Sequence, residues 1–162
     1  MKSPLVRFLL IVNNSYTFFV SSLHMGLMVS VLLFWYPSWV GLTLTTIHDN
    51  FGIPAKLATN LFVILIPINF LTCGIMIVSE WKTNLKWPAI ATLLGSFGST
   101  AMAYFFLFPI NNAIAAGLPT QAELTSTLQR WMRLNDIRVV FSASTWLAVL
   151  VFIQMKINQV KQ

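Results

Sequence analysis

Four long apolar runs separated by short polar connectors make up most of the sequence. They cover about residues 17–37, 57–78, 88–109 and 138–157. An α-helix needs roughly 20 residues to cross the hydrocarbon core of a bilayer, and each run is about that long. The pattern therefore predicts an all-α fold, a four-helix transmembrane bundle that forms a single integral membrane domain over residues 1–162.

The first run is bounded by two segments of distinct composition. Basic residues flank a short apolar patch in residues 1–16, which loosely resembles a signal peptide. The patch is short and no small-residue cleavage pattern follows it, so we interpret it as an interfacial lead-in to the first span. At the other end of the span, Trp35, Tyr36 and Trp39 are predicted to form an aromatic belt at the membrane surface.

The second and fourth runs carry local helix signals. Pro67 lies inside the second run and should kink the helix, because proline removes a backbone donor and its ring crowds the preceding turn. Ahead of the fourth run, Thr120 is followed three residues later by Glu123, a pattern typical of a helix N-terminus. We therefore expect a short polar, interfacial helix over about residues 121–137, able to run straight into the fourth span.

Small residues recur at every fourth position in two of the predicted spans. The third span contains Gly95 and Ser99 in such a stripe, and the first contains Ser22, Gly26 and Ser30. In lipid no hydrophobic effect drives helices together, and small residues allow the close backbone approach that holds them. Both stripes are predicted to be helix-packing surfaces.

Composition and charge agree with a bilayer as the main partner. Apolar residues make up 57% of the chain and charged residues 9%, whereas an average soluble domain is about 25% charged. The net charge of +6 is scattered at the ends of the spans, which is typical of membrane proteins and argues against nucleic-acid binding. The single cysteine, Cys73, excludes an internal disulfide and is interpreted as a small buried apolar residue.

The basic residues also predict an orientation. With four spans, six Lys and Arg residues lie on the side of the two termini and four lie on the other side. The positive-inside rule then places both termini in the cytoplasm, in a bacterial inner membrane or an equivalent membrane.

The most concentrated polar chemistry lies where the fourth run begins. At 3.6 residues per turn, Trp131, Asn135 and Arg138 fall on one face of a helix. A guanidinium near hydrocarbon costs at least about 2–3 kcal/mol without a partner. In one interpretation, Asn111, Asn135 and Arg138 form a hydrogen-bonded clamp between spans three and four. Asp136 and backbone carbonyls of span three are further candidate partners of Arg138. In the other interpretation, the same polar groups line a pocket and hold a ligand oxygen.

His24 is a second candidate, because it lies in the middle of the first span. It is either a hydrogen-bonded packing residue or a general base, since histidine can accept a proton near neutral pH. His48 lies in the first connector, where it can simply be solvated. The sequence contains no H-x-x-H, C-x-x-C or paired-carboxylate pattern, so we predict no metal site and no cofactor.

Two motifs on either side of the third connector resemble a known family. They are Pro109-x-Asn111 and Trp131-x-x-x-Asn135-x-x-Arg138. Together they resemble the DUF1772 family of small four-span membrane proteins, which is described as anthrone oxygenase-like. The motif resemblance covers about residues 105–140. Leu107 and Leu134 depart from the family pattern, which has an Asn and an aromatic residue at these positions.

The resemblance implies a cofactor-independent oxygenase that acts on a lipophilic phenolic or quinol-like substrate. In such chemistry a base removes a proton from the substrate, and the electron-rich anion then reacts with oxygen. His24 and Arg138 are the predicted catalytic residues. Asn111, Trp131 and Asn135 are predicted to bind the substrate.

The alternative function is an accessory or structural subunit of a larger membrane complex. A surface rich in Phe and Trp with little mass outside the bilayer would suit contact with neighbouring subunits. A small transporter ranks third, because the four spans contain no visible internal repeat. A pocket that contains His24 or Arg138 and opens sideways to lipid would favour the enzyme. A core filled by side chains would favour the subunit.

Overall fold

Four long helices account for nearly all of the described chain. The computed structural model describes residues 3–160, and these residues contain no strand. The helices, here α1 to α4, are Pro4–Trp39, His48–Ser79, Lys86–Ala116 and Gln121–Val160. Each contains a stretch long and apolar enough to cross a membrane. The predicted all-α class with four apolar helices is confirmed.

The helices extend beyond the apolar runs that predicted them. Helix α1 begins at Pro4, where the hydroxyl of Ser3 accepts a hydrogen bond from the amide of Val6 at 3.4 Å. The segment interpreted as a lead-in is therefore part of the first helix from Pro4 onward. Hydrophobicity alone placed this start near residue 17, because the polar residues Asn13 and Asn14 interrupt the apolar run although they are compatible with a helix.

Helix α4 is a single element of 40 residues, about 60 Å long at 1.5 Å per residue. The amide of Glu123 donates to the hydroxyl of Thr120 at 3.2 Å, so the predicted N-terminus is confirmed. The helix predicted over about residues 121–137 is the first part of α4, and no break separates it from the apolar part that follows.

Three of the helices contain one wide, π-type turn, and each turn ends two residues before a proline. The turns are Val31–Trp35 before Pro37, His48–Gly52 before Pro54, and Ala103–Leu107 before Pro109. Regular α-helix occupies Pro4–Ser30, Tyr36–Trp39, Ile53–Ser79, Lys86–Met102 and Phe108–Ala116. A proline ring clashes with the carbonyl four residues earlier, and a wider turn moves that carbonyl away. Pro67, in contrast, lies within the regular segment of α2.

The helices pack in a ring. Helix α1 contacts α2 and α4, and α3 contacts the same two helices from the opposite side. The end at which residues 80–85 join α2 to α3 is called the base below, and the opposite end is called the mouth. The ring brings side chains from all four helices to a common interior.

Close backbone contact between α3 and α4 explains one of the two predicted stripes. A Cβ atom added to Gly95 would overlap the side chain of Thr145 and lie 3.1 Å from the carbonyl oxygen of Phe141. One turn later, the hydroxyls of Ser99 and Ser142 are 3.1 Å apart. The stripe in the first span is wrong as a packing surface at Gly26, which is exposed and whose added Cβ would meet no atom within 4 Å.

Buried polar side chains join the helices in the base half. The amide of Asn13 donates to the carbonyl of Thr72 at 3.0 Å, and the hydroxyl of Thr17 donates to that of Thr72 at 2.9 Å. The amide of Asn69 donates to the hydroxyl of Ser96 at 3.0 Å. These bonds satisfy groups that would otherwise be costly to bury, and they hold α2 against both α1 and α3.

Candidate functional site

A cavity of about 360 Å³ lies between the helices in the mouth half of the bundle. Apolar side chains from α1, α2 and α3 form most of its wall, and α4 contributes Trp131 and Arg138. The polar side chains of the wall include His24 and Asn111. A volume of this size falls within the range of small-molecule sites, which are mostly apolar with a few polar groups that orient the ligand.

The cavity reaches the outer surface of the bundle between α2 and α3. Val63 and Tyr104 both line it, and their side chains are 61% and 63% exposed. Toward the base, Asn69 and Ser96 tie the two helices together, and toward the mouth the first turn of α2 packs against the end of α3. From these two exposed lining residues we infer an opening of the cavity between α2 and α3, called the side window below.

His24 and Arg138 meet at the wall of this cavity. The Nη2 atom of Arg138 lies 3.1 Å from Nε2 of His24, which is 8% exposed. A guanidinium can only donate hydrogen bonds, so Nε2 accepts and the proton of the neutral ring lies on Nδ1. The imidazole also packs against Phe62, with ring centroids 4.9 Å apart. This contact and the hydrogen bond together fix the orientation of the ring.

Arg138 has no carboxylate partner in the described part of the chain. The ion pair found within residues 3–159 joins Glu80 to Lys156 near the base, far from this site. The Nε–H of Arg138 is buried without an acceptor. An uncompensated charge at the edge of an apolar cavity is costly. It favours a ligand that supplies a negatively charged or strongly accepting oxygen.

The residues of the predicted clamp take different partners from those expected. Asn111 accepts a hydrogen bond from Nε1 of Trp131 at 2.8 Å, which does join α3 to α4. Asn135 instead donates to the hydroxyl of Tyr36 at 3.0 Å, and Arg138 bonds His24, so both connect α4 to α1. A clamp made of Asn111, Asn135 and Arg138 together is therefore wrong.

Asn135 and Tyr36 form a second, separate polar contact behind the cavity. Asn135 is 0% exposed and does not belong to the cavity wall. The hydroxyl of Tyr36 lies 3.0 Å from both the carbonyl of Met132 and Oδ1 of Asp136. It can donate its single proton to only one of them at a time. This contact joins the end of α1 to α4, and Asn135, which was predicted to bind the substrate, lies behind the cavity wall and is not part of it.

Aromatic side chains close the cavity toward the mouth. The ring centroid of Trp39 lies 5.0 Å from that of Phe51 and 5.2 Å from that of Trp131, in edge-on geometry. Trp39 is 4% exposed, so its predicted place in a surface belt is wrong. Its indole donates to the carbonyl of Asn50 at 3.3 Å, four residues before Pro54, which has no N–H to donate to that carbonyl. This hydrogen bond helps to explain why the Trp39 ring turns inward.

The structure thus brings four of the five predicted site residues to one cavity. His24, Asn111, Trp131 and Arg138 line it. Sequence reasoning missed Phe62 and Trp39, because neither an isolated Phe in an apolar run nor a Trp at a span end differs locally from lipid-facing residues. In comparisons with known proteins, the chain matches no family model, no curated protein and no solved structure.

Proposed function

We propose that the chain is an integral membrane protein that takes a lipophilic phenolic or quinol-like molecule from the bilayer and oxygenates it without a cofactor. The observation that carries the proposal is the contact between Arg138 and His24 on the wall of an apolar cavity with a side window. A purely structural subunit would need only a core filled by side chains. The cavity therefore favours a ligand-binding function over the accessory role.

The substrate ring would pack between the apolar side chains, with its hydroxyl at the polar pair. In the free protein the lone pair of His24 Nε2 accepts from Arg138. A bound hydroxyl takes the place of that contact, donates to Nε2 and accepts from the guanidinium. Transfer of the proton to Nε2 leaves an oxyanion that Arg138 stabilises in a site with little water. The charge of Arg138, which has no carboxylate partner among the described residues, then has a counter-ion.

The oxygenation step follows from the electron-rich anion. For anthrone, bound as its hydroxyl tautomer, loss of the hydroxyl proton gives an anion with electron density on the ring carbon opposite the oxygen, and this carbon forms a bond to dioxygen. The resulting peroxide anion takes the proton back from Nε2 of His24 and then loses water to give a ketone. One anthrone and one dioxygen yield one anthraquinone and one water, so carbon is oxidised, oxygen is reduced and His24 is regenerated.

The test is turnover of anthrone by the purified protein in a mild detergent, followed by oxygen consumption and by anthraquinone absorbance. We expect His24→Gln and Arg138→Met to lower the rate by about 100-fold or more, the usual contribution of a general base or an oxyanion donor. Arg133→Met is the matched control, because Arg133 is an exposed cation on the same helix. A wild-type protein without turnover, or variants as active as the control, would contradict the oxygenase.

The orientation in the membrane is part of the proposal. Helix α4 is about 60 Å long, twice the roughly 30 Å hydrocarbon core. Its first part, which contains Arg130 and Arg133, would then lie at the interface, with both termini in the cytoplasm of a bacterial inner membrane or its equivalent. In a Cys73→Ser background, an impermeant maleimide applied from outside should label Arg130→Cys and spare Lys82→Cys. The reverse labelling would invert the topology.

A further inference from the structure

A second cavity of about 620 Å³ lies at the mouth, between the first connector, the start of α2 and the end of α3. It shares part of its wall with the first cavity. The shared residues are Ala55, Thr59, Phe108 and Asn111. These shared residues therefore lie between an apolar space within the bundle and a more polar one at its end.

The ionisable groups that residues 3–160 contribute to the second cavity are basic. They are His48 and Lys56, and no Asp or Glu in that range belongs to its wall. Within the described residues, the ammonium group of Lys56 has no hydrogen-bond acceptor or ion-pair partner. Asn111 uses its carbonyl oxygen to accept from Trp131, which leaves its NH₂ group as a donor. Asn112 also lines the cavity. The wall is thus rich in donors, and none of the described residues in it carries a negative charge.

We propose that the second cavity binds the anionic group of the same ligand whose ring occupies the first cavity. The inference rests on the proposed function and narrows its substrate class to lipophilic aromatic acids. An amphiphilic ligand fits the two adjoining cavities. Its ring would lie among the apolar side chains of the first cavity, and its carboxylate or sulfonate would lie in the second cavity beside Lys56. The mouth is the end at which the apolar part of α2 begins, so the anionic group can keep contact with water.

Two probes that differ in one substituent test this inference. Anthraquinone-2-carboxylate carries the charge, and 2-(hydroxymethyl)anthraquinone is its neutral counterpart. Binding is measured by quenching of tryptophan fluorescence in a neutral detergent, since Trp39 and Trp131 line the first cavity. We expect the acid to bind at least about tenfold more tightly than the alcohol, the usual effect of a hydrogen bond to a charged group.

Lys56→Met should bring the two affinities together and leave the binding of the alcohol nearly unchanged. Lys82→Met is the control, because Lys82 is an exposed cation near the base and should leave the acid's advantage intact. An equal preference in the wild type and Lys56→Met would overturn the second site. A preference lost in Arg138→Met and kept in Lys56→Met would also overturn it, because the anion would then lie in the first cavity.

Competition with inorganic phosphate distinguishes binding of an anionic group of the ligand from binding of a free anion. In excess, phosphate should weaken binding of the acid and leave the neutral alcohol unaffected. Tighter binding of the alcohol with phosphate present would mean that a free anion fills the second cavity, against the inference. The anthrone assay distinguishes the failure of this inference from the failure of the proposed function. Turnover of neutral anthrone, without any preference for acids in binding, would contradict the second site alone. A binding preference for acids that depends on Lys56, without any turnover, would contradict the oxygenase and support the second site.

Discussion

Arg138 Nη2 lies 3.1 Å from His24 Nε2, so a cation from the fourth helix and a neutral imidazole from the first share one cavity wall. The Nη2 group of this guanidinium faces the imidazole, and its Nε–H is buried without an acceptor among the described residues. Nε2 of His24 therefore has a hydrogen-bond partner, whereas the guanidinium of Arg138 keeps a buried donor without one. Such an imbalance suits a site that binds a ligand oxygen, and it predicts that removing the charge of Arg138 does not destabilise the protein.

Arg138→Met should make the protein more stable, or leave it equally stable, while binding of a phenolic ligand is lost. It removes a half-buried charge that has no carboxylate partner among the described residues. Replacing even paired buried charges by apolar groups often stabilises other proteins, by about 1–4 kcal/mol. The midpoint of thermal unfolding in detergent measures stability, and Arg138→Lys, which keeps the charge, is the control. A large fall in the midpoint for Arg138→Met would instead identify Arg138 as a structural anchor.

Tyr36 and Asn135 should be energetically coupled. Tyr36→Phe leaves the buried amide of Asn135 without its acceptor, at a cost of about 1–3 kcal/mol. Asn135→Leu removes the same bond, but it also removes Oδ1, which is buried without a partner, so its cost should be smaller. The double variant should be less destabilised than the sum of the two single variants. Strict additivity in chemical unfolding would show that the bond contributes nothing.

Gly95→Ala should be strongly destabilising, by about 1–3 kcal/mol, because the new methyl group would meet the backbone of α4 at Phe141 and Thr145. Gly26→Ala is the matched control, since its methyl group would meet no atom within 4 Å. That control should be neutral or slightly stabilising, given the higher helix propensity of alanine. Equal unfolding midpoints for the two variants would contradict the close approach of α3 and α4.

Ala103→Phe should abolish ligand binding without unfolding the protein. Ala103 lines the first cavity and is 8% exposed, so a benzyl group there would occupy space that is now empty. Filling a cavity usually adds stability, and the unfolding midpoint should not fall. Ala113→Phe serves as control, because Ala113 is exposed and lines neither cavity. Binding of anthrone by Ala103→Phe at wild-type affinity would place the ligand elsewhere.

The helices and the inward face of α4 could be predicted because both depend on local sequence. The length of an apolar run suffices to predict a helix, and the 3.6-residue period is enough to place Trp131 and Asn135 on one face. The structure buries both, at 6% and 0% exposure. The helix ends were less predictable, since polar residues such as Asn13 fit a helix whose polar groups find partners on a neighbouring one.

The pairing of side chains across helices could not be predicted in the same way. His24 and Arg138 are 114 positions apart, and their contact depends on α1 packing against α4. Trp39 is a residue type common in aromatic belts at the membrane surface, yet the packing of the four helices buries it. The wide turns also escaped prediction from hydrophobicity, although the prolines that follow them were visible in the sequence.

In the wide turn Ala103–Leu107, the number of residues matters as much as their identity, because this number sets the orientation of the rest of α3. A π-type turn holds one residue more than an α-helical turn, so a deletion of one residue there would restore a regular helix. The remainder of α3 would rotate by about 100° about its axis. Asn111 would then point away from both Trp131 and the cavities. Single-residue deletions in this segment should therefore be far less tolerated than substitutions at the same positions.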